Sequence, residues 1–262
     1  MRALVDQVKF SMAALTIDLA IAKTNKHASR ESGDTAELVE RPGGGLSVVL
    51  ADGQGSGRAA KSLSLLVTSK AVSLLKEGVR DGAAARGVHD YLFTYRHGQV
   101  SATLDILSVD LATSTILITR NSETPLIVGR SGEITCILGG AGPIGRYHLT
   151  RPVVTQIPVE PWTLLLLVTD GVLSSGHPGS PGEFDIRDYA ASSLAEVWDA
   201  SKAADILLRE AIRRDDGRPR DDLTVVALVI RPHDEKTLIR RMSAVVPVSC
   251  AVGAAIGGDR LS

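Results

Sequence analysis

Cysteine is scarce: Cys136 and Cys250 are the only two in 262 residues. They lie far apart and lack metal-ligand spacing, which argues against a disulfide framework and a thiolate zinc site. Such usage suits a reducing cytoplasm. Charge of one sign is also missing. The formal net charge is −1, so no overall pull towards nucleic acid or an anionic membrane is expected. No apolar run reaches the roughly 20 residues of a spanning helix. Two tracts come nearest. Phe10 to Ala22 is broken by Asp18, and Ile17, Leu19 and Ile21 alternate as a strand does, unlike a signal sequence. Ala244 to Ile256 holds Pro247 and Gly253 and reads as a last strand and a loose tail. Internal repeats and low-complexity linkers are absent.

What is present is a globular balance, with 44% hydrophobic and 23% charged residues. The periodicity predicts strands over Thr16–Thr24, Asp34–Glu40 and Leu46–Ala51, the last two joined by the turn Arg41-Pro42-Gly43-Gly44-Gly45. A helix is expected from Gly57 to Glu77, with Ala60, Leu63, Val67, Ala71 and Leu74 on one face, Lys61, Ser64 and Lys70 on others, and Gly78 at the C-cap. A second helix follows over Ala83–Tyr95. Further strands are expected at Ala102–Leu111, Thr115–Arg120, Leu126–Gly129, Val153–Ile157 and Leu164–Thr169, with a hairpin turn at Ser131-Gly132-Glu133. The run Leu164–Val168 is wholly apolar and reads as a central strand buried on both faces. A helix over Ala200–Arg214 and a strand over Leu223–Ile230 complete an α+β domain of layered antiparallel sheets.

The strands gather carboxylates. A turn centred on Gly43 puts Asp34 opposite Asp52, where side chains lie about 4.5–5.5 Å apart at Cβ and like charges repel. No neighbouring Lys or Arg is evident to neutralise them. Asp170 ends the buried strand, and Asp221-Asp222 precedes the last one. If those strands pair antiparallel, Asp170 and Asp221 meet at the same end. Clustered carboxylates are costly unless paired, and hard divalent cations, Mg²⁺ or Mn²⁺, are their natural partners. The loop Asp52-Gly53-Gln54-Gly55-Ser56-Gly57 fits, because glycines let backbone carbonyls approach a metal. A dinucleotide fingerprint fails at Arg58, no Walker loop exists, and an EF-hand fails at Leu63. The histidines His27, His89, His97, His148, His177 and His233 do not cluster with the aspartates.

In order, Glu31-Ser32-Gly33-Asp34, Leu50 to Gly57, Ser101-Ala102-Thr103-Leu104-Asp105, Val168-Thr169-Asp170-Gly171 and Arg220-Asp221-Asp222-Leu223-Thr224 resemble the metal-dependent protein phosphatases of type 2C. The likeness is to the bacterial branch of stage II sporulation protein E and the stress-response serine phosphatases. It covers roughly residues 10–232 and leaves 233–262 as a C-terminal extension. The resemblance implies a two-sheet antiparallel β-sandwich flanked by helices, in four αββα layers. It implies two Mn²⁺ or Mg²⁺ ions held by Asp34, Asp52, the Gly53 carbonyl, Asp170 and Asp221, with Asp52 bridging both and Asp222 either a supporting group or an alternative ligand. Asp52 and Asp34 would be the catalytic pair.

The reaction so implied is hydrolysis of phosphoserine or phosphothreonine by in-line attack of a water activated between two cations. Where eukaryotic members carry a histidine after the Asp-Gly, this chain has Gln54. No motif fixes a phosphate-contacting arginine; Lys23 and Lys26 are candidates that also read as plain surface charge. The implied partner is a phosphorylated regulatory protein, such as an anti-sigma-factor antagonist or a stressosome-like subunit, with no nucleic acid and no membrane. The alternative is a catalytically inactive member that only binds a phosphoprotein. Helix Gly57–Glu77 starts at the metal loop and is positioned to relay partner binding to Asp52 and Gly53.

Overall fold

A computed structural model describes residues 15–176, 184–233 and 239–247. Cys250, His177 and most of the apolar tract 244–256 fall outside them. Ten strands and five helices stand among the described residues: β1 Leu15–Thr24, β2 Asp34–Glu40, β3 Leu46–Gly53, α1 Gly57–Lys76, α2 Asp81–Arg96, β4 Ala102–Asp110, β5 Thr115–Asn121, β6 Leu126–Arg130, β7 Glu133–Ile137, β8 Val153–Pro158, β9 Thr163–Val168, α3 Asp170–Leu173, α4 Ile186–Leu194, α5 Ala200–Arg214 and β10 Leu223–Pro232.

The strands form two five-stranded sheets, β1-β10-β9-β6-β7 and β2-β3-β4-β5-β8. All their pairings are antiparallel. Period-two alternation builds the layers. In β9, Leu165 and Leu167 point between the sheets, while Leu164, Leu166 and Val168 point to the helix layer of α4 and α5. In β3, Val48 and Leu50 face between the sheets, and Val49 and Ala51 face α1 and α2. The result is the expected four-layer α+β sandwich. β9 is the middle strand of its sheet and is buried along its whole length, as an unbroken apolar run requires.

Local signals explain the punctuation. Helix α1 ends at Glu77 as its C-cap, one residue before the expected glycine. Gly78 follows with a left-handed φ of 85°. There the amides of Gly78 and Val79 bond to the carbonyls of Leu75 and Leu74, a Schellman closure. Ser131 and Gly132 both have positive φ, which the tight β6–β7 hairpin needs. Two helices were not foreseen. At Asp170-Gly171, where the buried strand ends, the short helix α3 begins. For α4 a signal exists: Asp185 caps it by accepting from the Asp188 amide, and Ile186, Ala190 and Leu194 are buried at helical spacing. Of the tract 244–256, in which a last strand is expected, only 244–247 are among the described residues, and these lie in no helix or strand. No helix among the described residues is long and apolar enough to cross a membrane.

Candidate metal centre

The β2–β3 register places Asp34 directly opposite Asp52. Both share the parity of Ala36, Leu38, Val48 and Leu50, residues that pack between the sheets, so both carboxylates turn into the mouth of the sandwich. The other sheet delivers its acids to the same end. β9 and β10 pair with Val168 opposite Val225. Thr169 and Asp170 leave β9 just where Asp221 and Asp222 enter β10. Asp34 is 1% exposed. Its Oδ2 accepts from the hydroxyls of Thr169 (3.0 Å) and Thr224 (2.5 Å), so Asp34 is pinned across the sandwich by the opposite sheet.

Two glycines make this closeness sterically possible. A Cβ on Gly53 would lie 2.2 Å from the Ala60 carbonyl oxygen, and one on Gly171 would lie 2.2 Å from the Asp222 carbonyl oxygen. The first lets the Asp52 loop fold against α1; the second lets Asp170 stand beside Asp221. Asp222 does something different. Its Oδ1 accepts from the Lys26 amide (2.9 Å) and its Oδ2 from the Gly33 amide (2.7 Å). Both oxygens are occupied in tying the β1–β2 loop down, which favours a supporting role over a ligand one.

The electrostatics follow from crowding. Burial pushes Asp52 up to about 8, helped by Asp34, Asp170 and Asp221. Burial also lifts Asp34 to about 6, against the pull of the Thr224 and Thr169 hydroxyls. Asp170 is exposed at the lip, yet crowding around its carboxyl and the charge of Asp221 raise it too. Asp34, Asp170 and Asp221 are the charges that act on the Asp52 carboxyl. Among the described residues no three His, Cys, Asp or Glu side chains close on one point. In kind, the donors suit a hard divalent cation, being carboxylate and carbonyl oxygens only. Their mutual repulsion is what such a cation would relieve.

A family model described as stage II sporulation protein E (SpoIIE) matches residues 42–231. The chain belongs to the stage II sporulation protein E family. The protein of that name from Priestia megaterium is 22% identical over 223 residues, which cover 85% of this chain and 38% of the relative. The chain thus spans well under half of that relative's length. The solved PP2C phosphatase domain of Bacillus subtilis SpoIIE, with a fragment of its regulatory domain, superposes with a TM-score of 0.74 at 21% identity over 85% of this chain and 65% of that one. The RsbU and RsbW domains of a Mycobacterium tuberculosis protein give 0.70 at 22% identity, over 84% and 62%. The fold is therefore that of the PP2C phosphatases.

One expectation is overturned at this centre. The acids do have cations beside them. Lys23 and Lys61 both donate to the Asp34 backbone carbonyl, at 3.0 and 2.9 Å, and Lys61 also donates to Thr35 Oγ1 at 2.9 Å. Lys23 is exposed as a residue, its ammonium is bonded to the Asp34 carbonyl, and burial together with Lys61 lowers its pKa. Asp34 and Asp52 form a pair without cross-strand amide bonds, since Gly53 and Gly33 carry the neighbouring ladder bond. The Asp34 carbonyl accordingly faces the free edge of β2 and is open to the lysines. Ser64 also differs from expectation: it lies on the packed side of α1, fully buried and bonded to Thr35 Oγ1 at 2.7 Å. A signal was available in the polar stripe Lys61, Ser64 and Thr68, spaced along one side of α1. Gln54 has a bracing role, accepting from the Ser101 amide and hydroxyl.

Proposed function

We propose that this chain is a metal-dependent protein serine/threonine phosphatase unit, running over residues 10–232 with 233–262 as an extension. The observation that carries the reading is the convergence of Asp34, Asp52, Asp170 and Asp221 from both sheets on one mouth of the sandwich, in a member of the SpoIIE family. Asp34, Asp52, Asp170 and Asp221, with the Gly53 carbonyl, would hold two Mn²⁺ or Mg²⁺ ions. Such ions supply Lewis acidity towards water and the phosphoryl oxygens. Asp52, whose carboxyl feels the charge of the other three acids, would be the ligand that both ions share. Thr169 and Thr224 orient Asp34, and Asp222 keeps the β1–β2 loop against the centre. Neither Cys136, half-buried with its thiol pKa raised chiefly by burial, nor any histidine near the acids offers a nucleophile. The protein partner we infer is a phosphorylated regulatory protein, a reading supported by the RsbU and RsbW domains among the structural neighbours.

The test is hydrolysis of a chromogenic aryl phosphate with Mn²⁺, with EDTA, and by Asp52→Asn. Turnover that needs Mn²⁺ and vanishes in a folded Asp52→Asn protein is the expected result. Wild-type turnover by the variant sinks the assignment. No hydrolysis by wild-type protein, with phosphoprotein binding intact, would mark a member that only binds.

A further inference from the structure

Beside the carboxylate mouth the surface opens into a cleft of about 560 Å³. Two loops wall it: residues 25–33 between β1 and β2, and residues 215–222 between α5 and β10. The walls are bound to each other through the backbone. The His27 amide donates to the Pro219 carbonyl at 2.7 Å, and the Lys26 amide donates to Asp222 Oδ1 at 2.9 Å. A cleft held this way loses little freedom when something enters it.

Its lining carries three basic side chains, Lys26, Arg218 and Arg220, with His27 and Pro219 beside them. The two acids that also border it are engaged within the protein. Asp215 is 3% exposed; it accepts from the amides of Gly176 (2.9 Å) and Arg220 (3.0 Å) and pairs with the Arg220 guanidinium at 3.2 Å. Asp216 lies in the field of Arg213 and has a partner of its own. Lys26 and the exposed Arg218 make no ion pair among the described residues. The charge offered outward is therefore positive. The same loop that carries Arg218 ends at Asp221 and Asp222, so the cleft abuts the candidate centre.

We propose that this cleft receives acidic side chains flanking the phosphorylated serine or threonine of the protein substrate. The proposal rests on the phosphatase reading and adds the charge of the substrate to it. A phosphoryl group seated at the acids leaves the adjoining peptide to run across the neighbouring surface at about 3.3 Å per residue. Within a few residues that peptide lies over Lys26 and Arg218. A cationic cleft there steers an acidic segment inward and sets its register. The chain as a whole has a net charge of −1, so the attraction is local to this cleft.

Two synthetic phosphoserine peptides test it, one flanked by Asp and Glu, the other by Ala and Gln. Binding is read by fluorescence anisotropy in EDTA and turnover with Mn²⁺, alongside the aryl phosphate. Wild-type protein should favour the acidic peptide by about tenfold in both readings, a difference of about 1.4 kcal/mol. Arg218→Glu should abolish that preference, Arg218→Lys should keep it, and aryl phosphate turnover should stay within about twofold because that substrate is too small to reach Arg218. The backbone amide of Arg218, which donates to the Asp215 carbonyl, is untouched by either change. Equal handling of the two peptides by wild-type protein overturns the proposal, as does an undiminished preference in Arg218→Glu. Failure of the aryl phosphate assay in wild-type protein would instead remove the phosphatase reading, and anisotropy would still decide the cleft.

Discussion

On β2 and β3, Asp34 stands opposite Asp52; on β4 and β5, Asp105 stands opposite Arg120. By strand parity all four point between the sheets. Asp105 is 3% exposed, and burial raises it to about 6, against the Ser122 hydroxyl and the Arg120 charge. Asp34 also reaches about 6 through burial. The shared value shows that a raised pKa does not by itself separate a site of chemistry from a structural one. The partners do. Asp105 takes a 2.6 Å bond from Ser122, and Arg120 donates to the carbonyls of Thr124 and Gly139 at 2.7 and 2.5 Å. That region balances its charge internally and fastens the loops after β5 and β7. The charges that act on Asp52 are three more acids, and the lysines bond the Asp34 carbonyl and the Thr35 hydroxyl, with no hydrogen bond to a carboxylate oxygen of the centre. That region is left with a negative surplus that favours cations from solution.

The comparison breaks first under substitution of the acids. Asp52→Asn should cut metal-dependent turnover on the order of 10³-fold, the scale of losing one electrostatic stabiliser, yet raise the melting temperature of the metal-free protein by relieving repulsion. Asp105→Ala should do the reverse. It strands Arg120 without its counter-charge and should cost about 3 kcal/mol in urea unfolding. If both substitutions merely unfold the protein to a similar degree, the contrast between the two regions is false.

A pH titration in EDTA sharpens it. A carboxyl with a folded pKa above its unfolded value, about 3.9, binds its proton more tightly when folded. Stability therefore falls as pH rises between the two values. The metal-free protein should lose stability from about pH 4 to 6 through Asp34, Asp52 and Asp105, and on to about 8 through Asp52. Melting temperatures should show Asp105→Asn flattening part of the lower stretch and Asp52→Asn the upper one. A wild-type profile level across that range would contradict the assignment. The smallest effect belongs to Lys61→Met, which deletes two hydrogen bonds from a charged donor and should cost about 1.5 kcal/mol. Lys61→Arg should recover part of it in the same unfolding measurement.

Much of this was legible beforehand. Gly43 at the centre of its turn gives the Asp34–Asp52 register by counting alone, because a strand's period is two. The unbroken Leu164–Val168 run gives a central strand, and the SpoIIE-like order of motifs gives the layers. What counting could not reach were contacts between elements remote in the chain. Thr169 and Thr224 look like ordinary strand residues until the second sheet lies over Asp34. Lys23 looks like surface charge until β1 pairs with β10, with Lys23 opposite Thr224. Asp105 and Arg120 give no sign of opposition until the β4–β5 register is known.

The sequence alone determined the alternation, the turns and thus which faces each strand would bury, since these depend on neighbours a few residues apart. It also placed an acid at the end of each strand that mattered. Only the tertiary structure decided which acids share a mouth, which are served by hydroxyls or amides, and which lysines stand beside them. Those facts depend on how two sheets stack, and side-chain solvation is set by that stacking.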